Sequence, residues 1–132
     1  MTMTDATVPH PGYVLLYVDD PTASSRFYAD LLAAEPVEAS PTFVLFACDS
    51  GLKLGLWSRH TVRPAPGAEP GAGELGFRVV DKAAVDAAHV AWQAKGVKML
   101  APPIEQEFGR SFVALDPDGH RLRVYALAAG GG

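Results

Sequence analysis

Residues 112–125 read FVALDPDGHRLRVY and residues 44–57 read VLFACDSGLKLGLW. Laid over one another without a gap, residue 44 against residue 112, they place turn on turn, Gly51 on Gly119 and Trp57 on Tyr125. Each reads as strand, tight turn and strand, because CDSG and DPDG carry turn-forming residues between runs rich in apolar and β-branched side chains. A stretch that recurs in this way marks a repeated supersecondary unit. The likeness extends upstream of each copy. YVLLYVDD (13–20) and ELGFRVVD (74–81) both read as apolar strands that end in an aspartate able to cap a helix.

The first of these caps, Asp20, is followed by Pro21, which fits the first turn of a helix. Phe27, Tyr28, Leu31 and Leu32 recur at helical spacing and give that helix a buried face through about Ala34. Strands are expected at PVEA, TFVLFA and LKLGLW. The second helix is capped by Asp81, carries Val85, Ala88, His89 and Trp92, and is ended by Gly96 in a left-handed conformation. The chain therefore divides into two βαβββ modules, about 12–58 and 74–128, within one domain spanning 1–132. Between them SRHTVRPAPGAEPGAG (58–73) is rich in Pro and Gly and reads as a surface linker.

Composition narrows the function classes. The 132 residues are 48% hydrophobic and 20% charged, enough for one ordinary core. A formal net charge of −4, with eleven basic residues that form no run, argues against nucleic acid as a partner. No stretch approaches the roughly 18 apolar residues of a membrane helix. MTMTDATVPHPG at the N-terminus has neither a basic segment nor an apolar core of signal-peptide length, so a cytoplasmic protein is the expectation. Cys48 is the only cysteine and sits in an apolar strand, where a small buried residue is the simpler reading. There is no GxSxG elbow, phosphate loop or paired-cysteine metal signature, and no two histidines have metal-ligand spacing.

Tandem βαβββ modules with these turns resemble the vicinal oxygen chelate superfamily, which comprises glyoxalase I, bleomycin resistance proteins and extradiol dioxygenases. The resemblance runs from about Tyr13 to Leu127 and is carried most specifically by YVDDPTASSRFYADLL and FGRSFVALDPDGHRLRV. It implies an α+β fold in which two tandem modules form a cupped mixed sheet with the helices outside. It also implies dimers, with cups often completed across the subunit interface.

Within that frame, strand alternation says which side chains enter the cup, since the face opposite the helix-packing residues is the inner one. Tyr13, Leu15 and Tyr17 are expected inside from the first strand, Lys53, Gly55 and Trp57 from the fourth, Glu74, Gly76 and Arg78 from the fifth, and Arg121, Arg123 and Tyr125 from the eighth. Metal-dependent members of the family place one His, Gln or Glu on each of these strands. The matching positions here are Tyr13, Gly55, Glu74 and Arg123, of which only Glu74 is a good ligand, and the fixed positive charge of Arg123 opposes a cation. No metal, cofactor or catalytic residue is therefore expected.

What remains suits a planar, partly charged organic molecule. Tyr13, Tyr17, Trp57 and Tyr125 offer aromatic walls, while Glu74, Arg78, Arg110 and Arg123 offer oriented charges. YVDDPTASSRFY, LWSRHTVRP and EFGRSFVALDPDGHRLRV are most similar to the phenazine antibiotic resistance proteins, whose ligand is a flat tricyclic aromatic acid. The expected function is metal-independent sequestration of a phenazine-like antibiotic or metabolite by a homodimer. A metal-dependent dioxygenase, lyase or isomerase of the same superfamily is the alternative. Plainer roles stand beside these: Trp57 closing the core, Glu74 pairing with Arg123, Arg110 bracing its loop, and His10, His60, His89 and His120 at the surface or in packing. Whether APPIEQEFG (101–109) closes over the pocket is left open.

Overall fold

A computed structural model describes residues 11–128. Ten elements follow the order expected of a repeated unit. The first module contains β1 (Val14–Val18), α1 (Pro21–Leu32), β2 (Glu38–Ala39), β3 (Phe43–Ala47) and β4 (Lys53–Ser58). The second contains β5 (Glu74–Arg78), α2 (Lys82–Ala94), β6 (Lys98–Gln106), β7 (Gly109–Leu115) and β8 (Arg121–Leu127). The strands form two four-stranded sheets of identical plan, β1-β4-β3-β2 and β5-β8-β7-β6. In each, the first pair is parallel and the others antiparallel. No strand of one sheet pairs with a strand of the other, so β1 and β5 are edge strands.

Both helices start where a carboxylate meets free amides. Asp20 accepts from the amides of Thr22 and Ala23, and Asp81 accepts from that of Ala84. The two hairpin turns need a positive φ, met by Gly51 at 95° and Gly119 at 87°. The helix α1 ends at Ala33, whose left-handed φ of 50° closes the last turn without glycine. Each sheet turns one face toward the helices, and those residues form one continuous buried cluster. Val18, Val44, Leu56, Phe112, Leu122 and Val124 belong to it, together with Tyr28 of α1 and Val85 and Trp92 of α2.

Two features go beyond the sequence reading. Residues 98–106 form a full strand paired with β7, with Gln106 opposite Gly109, so most of the segment considered as a lid is fixed in the sheet. Pro102 and Pro103 obscured this in the sequence, because proline disfavours a central strand. β6 lies at a sheet edge and has irregular register between Met99 and Ile104, which is where a strand tolerates proline.

The second feature is the contact between modules. The carboxylate of Asp116, at the end of β7, accepts from the Tyr28 hydroxyl of α1 at 2.7 Å and faces His120 Nδ1 at 2.8 Å. It also accepts from the amides of Asp118 and His120. Asp118 then accepts from the Asp19 amide at 2.9 Å. The DPDGH turn is thus a polar clasp between the second module and the strand-to-helix entry of the first.

Candidate functional site

On the first module, the helix-free face carries Tyr13 just before β1 and Leu15 and Tyr17 of β1, beside Gly55 and Trp57 of β4 and Phe43 of β3. Tyr13, Leu15, Phe43 and Trp57 line an open cavity of about 460 Å³, with Glu38 and Thr42 at its border. The Phe43 and Trp57 rings meet edge to face with centroids 5.7 Å apart. Tyr13 is 56% exposed, and Lys53 Nζ lies 6.0 Å from the centre of its ring. The surface is an open aromatic floor, in which Phe43 stands edge-on to the Trp57 indole, with a cation at its edge. Phe43 was missed in the sequence although the same alternation applied to TFVLFA would have found it.

The helix-free face of the second module is polar and self-paired. Arg123 donates through Nε to Glu74 Oε2 at 2.9 Å and through a terminal nitrogen to Glu74 Oε1 at 3.3 Å. Its other terminal nitrogen donates to Ser111 Oγ at 3.0 Å, and Ser111 donates to Gln106 Oε1 at 2.7 Å. Arg123 is therefore occupied by protein groups on both sides of its fork. Ser111 and Gln106 were not found from sequence, because the second module implied strands after its helix without locating the first of them or extending alternation to the next. Next to this network, Gly76 leaves room for the Tyr125 ring, which would stand 3.2 Å from an added methyl carbon. Arg78 and Arg121 are exposed on the same face and make no ion pair among the described residues.

Two expected site residues stand elsewhere. Arg110 alternates with Ser111 on β7 and so points to the helix side, where it binds Asp86 of α2 at 2.9 Å and Glu105 of β6 at 3.4 Å. It braces the β6–β7 hairpin against α2 rather than joining the group around Glu74. Tyr17 lies opposite Trp57 in register but borders a different cavity, beneath the linker.

The four family metal-ligand positions do not fit a metal ion. Glu74 is engaged by Arg123, and the phenol ring of Tyr13 has the Lys53 ammonium 6.0 Å from its centre. An added carbon at Gly55 would meet Leu15 Cδ2 at 2.5 Å and the Phe43 ring at 3.2 Å, so apolar groups fill that position. Among the described residues no group of three or more His, Cys, Asp or Glu side chains is arranged to hold an ion. The histidines have other partners: His60 faces Asp19 at 2.6 Å, His89 packs on Phe112, and His120 belongs to the clasp. His10 lies outside the described residues. Cys48 is half-buried, and burial, with Asp49 adding to it, pushes its thiol up and away from thiolate chemistry. No described helix is long and apolar enough to cross a membrane.

The pairing makes a prediction. Glu74→Gln removes the charge that neutralises Arg123, and binding of an aromatic carboxylate should tighten roughly fivefold, on the order of 1 kcal/mol, the scale of one partly exposed charge pair. Titration calorimetry on the variant, with a neutral analogue of the same ring system as control, separates this from a change of shape.

Comparison with known proteins places this geometry. The sequence model of the Glyoxalase/Bleomycin resistance protein/Dioxygenase superfamily matches residues 10–124. The chain is 31% identical over 131 residues to the phenazine antibiotic resistance protein EhpR of Enterobacter agglomerans, covering 95% of this chain and 99% of that one. Among solved structures it is similar to protein ATC0852 of Agrobacterium tumefaciens, with 55% identity, a TM-score of 0.84, and coverage of 92% and 99% of the two chains. A glyoxalase/bleomycin resistance protein/dioxygenase from Nocardioides superposes with a TM-score of 0.81 at 25% identity, covering 96% of this chain and 89% of that one.

Proposed function

Because the chain belongs to the glyoxalase/bleomycin resistance protein/dioxygenase superfamily, we propose that it binds and sequesters a planar aromatic acid of the phenazine type, without a metal and without transforming it. The observation that carries this reading is the pairing of opposites on the helix-free faces: an open aromatic floor around Trp57 and Phe43, and a closed Glu74–Arg123 pair where the family's chelate would need donors. The floor supplies stacking area for a fused-ring system. Arg78, free of protein carboxylates among the described residues, is the group placed to meet the acid, while Arg123 and Glu74 shape the base of the site. Sequestration of an antibiotic in the cytoplasm would confer resistance without any chemical step.

A complete cup needs both faces, and in one chain the aromatic floor is lined by the first module alone. Tyr13, Leu15 and Tyr17 are respectively 56%, 39% and 38% exposed beside the unpaired edge of β1. A homodimer that brings the second module of one copy to the first module of the other would cover this apolar face and supply its charges.

Calorimetric titration of chelator-treated protein with phenazine-1-carboxylate should show one equivalent per subunit, with the ligand recovered unchanged, and sedimentation analysis should give a dimer. Nickel, zinc, manganese and ferrous iron should show no stoichiometric binding. One equivalent of tight metal, or ligand turnover once metal is added, would overturn sequestration and make the metal-dependent enzyme the leading reading.

A further inference from the structure

The polar network on the open face of the second module has a direction. Arg123 carries only donors, and two of its nitrogens are held by the Glu74 carboxylate, so its charge is balanced within the protein. Its remaining terminal nitrogen donates to Ser111 Oγ at 3.0 Å. Ser111 is 1% exposed and has one hydroxyl hydrogen, which it donates to Gln106 Oε1 at 2.7 Å. The same Arg123 nitrogen also approaches Gln106 Oε1, at 3.5 Å.

These contacts decide which way the Gln106 carboxamide faces. Turned over, it would set its NH₂ group against the guanidinium, donor to donor, and would leave the enclosed Ser111 hydrogen without an acceptor. A separation of 2.7 Å is also that of a hydroxyl on an oxygen, shorter than is usual for an amide nitrogen. The carbonyl of Gln106 is therefore fixed on the network and its Nε2 is turned away from it. Gln106 is exposed, and Nε2 makes no hydrogen bond among the described residues. A guanidinium that never loses its charge thus orients a neutral donor through the hydroxyl between them.

Register places this donor relative to the free cation on the same face. Arg78 stands opposite Tyr125, and Tyr125 stands opposite Ser111, on three adjacent strands. Arg78 and Ser111 are therefore two strand spacings apart, about 10 Å. Tyr125 lies between them with its ring leaning over Gly76.

We propose that Gln106 Nε2 is a specificity-determining donor for an uncharged acceptor on the ring system of the ligand, a ring nitrogen or ring carbonyl remote from the carboxylate, with Ser111 and Arg123 as its positioning residues. This rests on the sequestration reading and deepens it. An aromatic acid that lies over Tyr125 with its carboxylate at Arg78 brings its far edge to Gln106. The charged donor at one end suits the carboxylate better than the neutral donor at the other, so the two ligand groups sort to opposite ends. Because the chain of hydrogen bonds cannot reverse, a ring that presents N–H at that edge meets NH₂ donor to donor and is disfavoured.

The test is calorimetric titration of the full chain with phenazine-1-carboxylate and with anthracene-1-carboxylate, which has the same shape and charge but C–H in place of each ring nitrogen. The readout is the ratio of the two affinities, which a general loosening of the site would leave unchanged. Gln106→Met should lower the preference for the phenazine acid about five- to tenfold relative to wild type, the scale of one hydrogen bond. Ser111→Ala should lower it in part, because Gln106 then keeps only its longer contact with Arg123. Melting curves show that each variant is folded. A preference that is unchanged in either folded variant, while wild type binds the phenazine acid, would overturn the donor and leave sequestration standing. Failure of wild type to bind either acid would overturn both.

Discussion

Trp57→Ala should weaken binding of phenazine-1-carboxylate by roughly 1 to 3 kcal/mol, a rise in Kd of about five- to 150-fold. The indole stands half-buried on β4, braced edge-on by Phe43 and bordering the open cavity with Tyr13 and Leu15. It is the largest flat surface on that face, and removing it deletes both the stacking area and the wall that holds Phe43 in place. Trp57→Phe retains a ring and should recover much of the loss. Calorimetry gives the affinity, and a melting curve of each variant separates lost stacking from lost fold. Unchanged affinity in a folded Trp57→Ala protein would remove the aromatic floor from the binding site and with it the main support for a planar ligand.

The largest expected effect on stability comes from the clasp. Asp116→Ala should destabilise the protein by roughly 3 to 5 kcal/mol, because it strands a buried tyrosine hydroxyl and a buried histidine at once. Tyr28 is fully buried, and burial first, then the charge of Asp116, push its hydroxyl well above the usual range, so it remains a proton donor. Asp116→Asn keeps an acceptor and should cost less.

The pH dependence has a definite sign. Burial opposes ionisation of Asp116, but hydrogen bonds from His120 and Tyr28 outweigh it, and the folded carboxyl titrates below its unfolded value. Its contribution is therefore complete above about pH 4 and is lost as pH falls through the lower folded value. Urea unfolding of wild type and Asp116→Ala across this range should show a gap in stability that narrows only below about pH 4. A gap that stayed constant into stronger acid would mean that the charge of Asp116 contributes nothing to the clasp.

The sequence carried the elements that depend on local chemistry. Asp20 and Asp81 cap helices because a carboxylate beside free amides needs no distant partner. Gly51 and Gly119 form turns because their φ values suit glycine. The alternation of β1, β4, β5 and β8 separates apolar helix-facing residues from those on the open face, which is why Trp57, Glu74 and Arg123 could be assigned to that face. The duplication of the unit made the assignment consistent across both halves.

Partners remote in the chain were another matter. The sequence put Arg123 and Glu74 on one face, but only the folded sheet showed that Glu74, opposite Arg121 in register, binds Arg123 diagonally and leaves Arg78 and Arg121 without a carboxylate partner among the described residues. Arg110 looked like a neighbour of the site until pleating turned it toward Asp86. The second βαβββ module implied β6, but its two prolines, which a sheet edge tolerates, hid where it lies. The cavity beside Tyr17 exists only because the linker folds back over β1. What the sequence determined by itself was therefore the repeated unit and the two faces of each strand, since caps, turns and alternation act over a few residues. Which charges cancel, which stay free and where the chain encloses space were decided by tertiary structure, because those depend on approach between residues far apart in the chain.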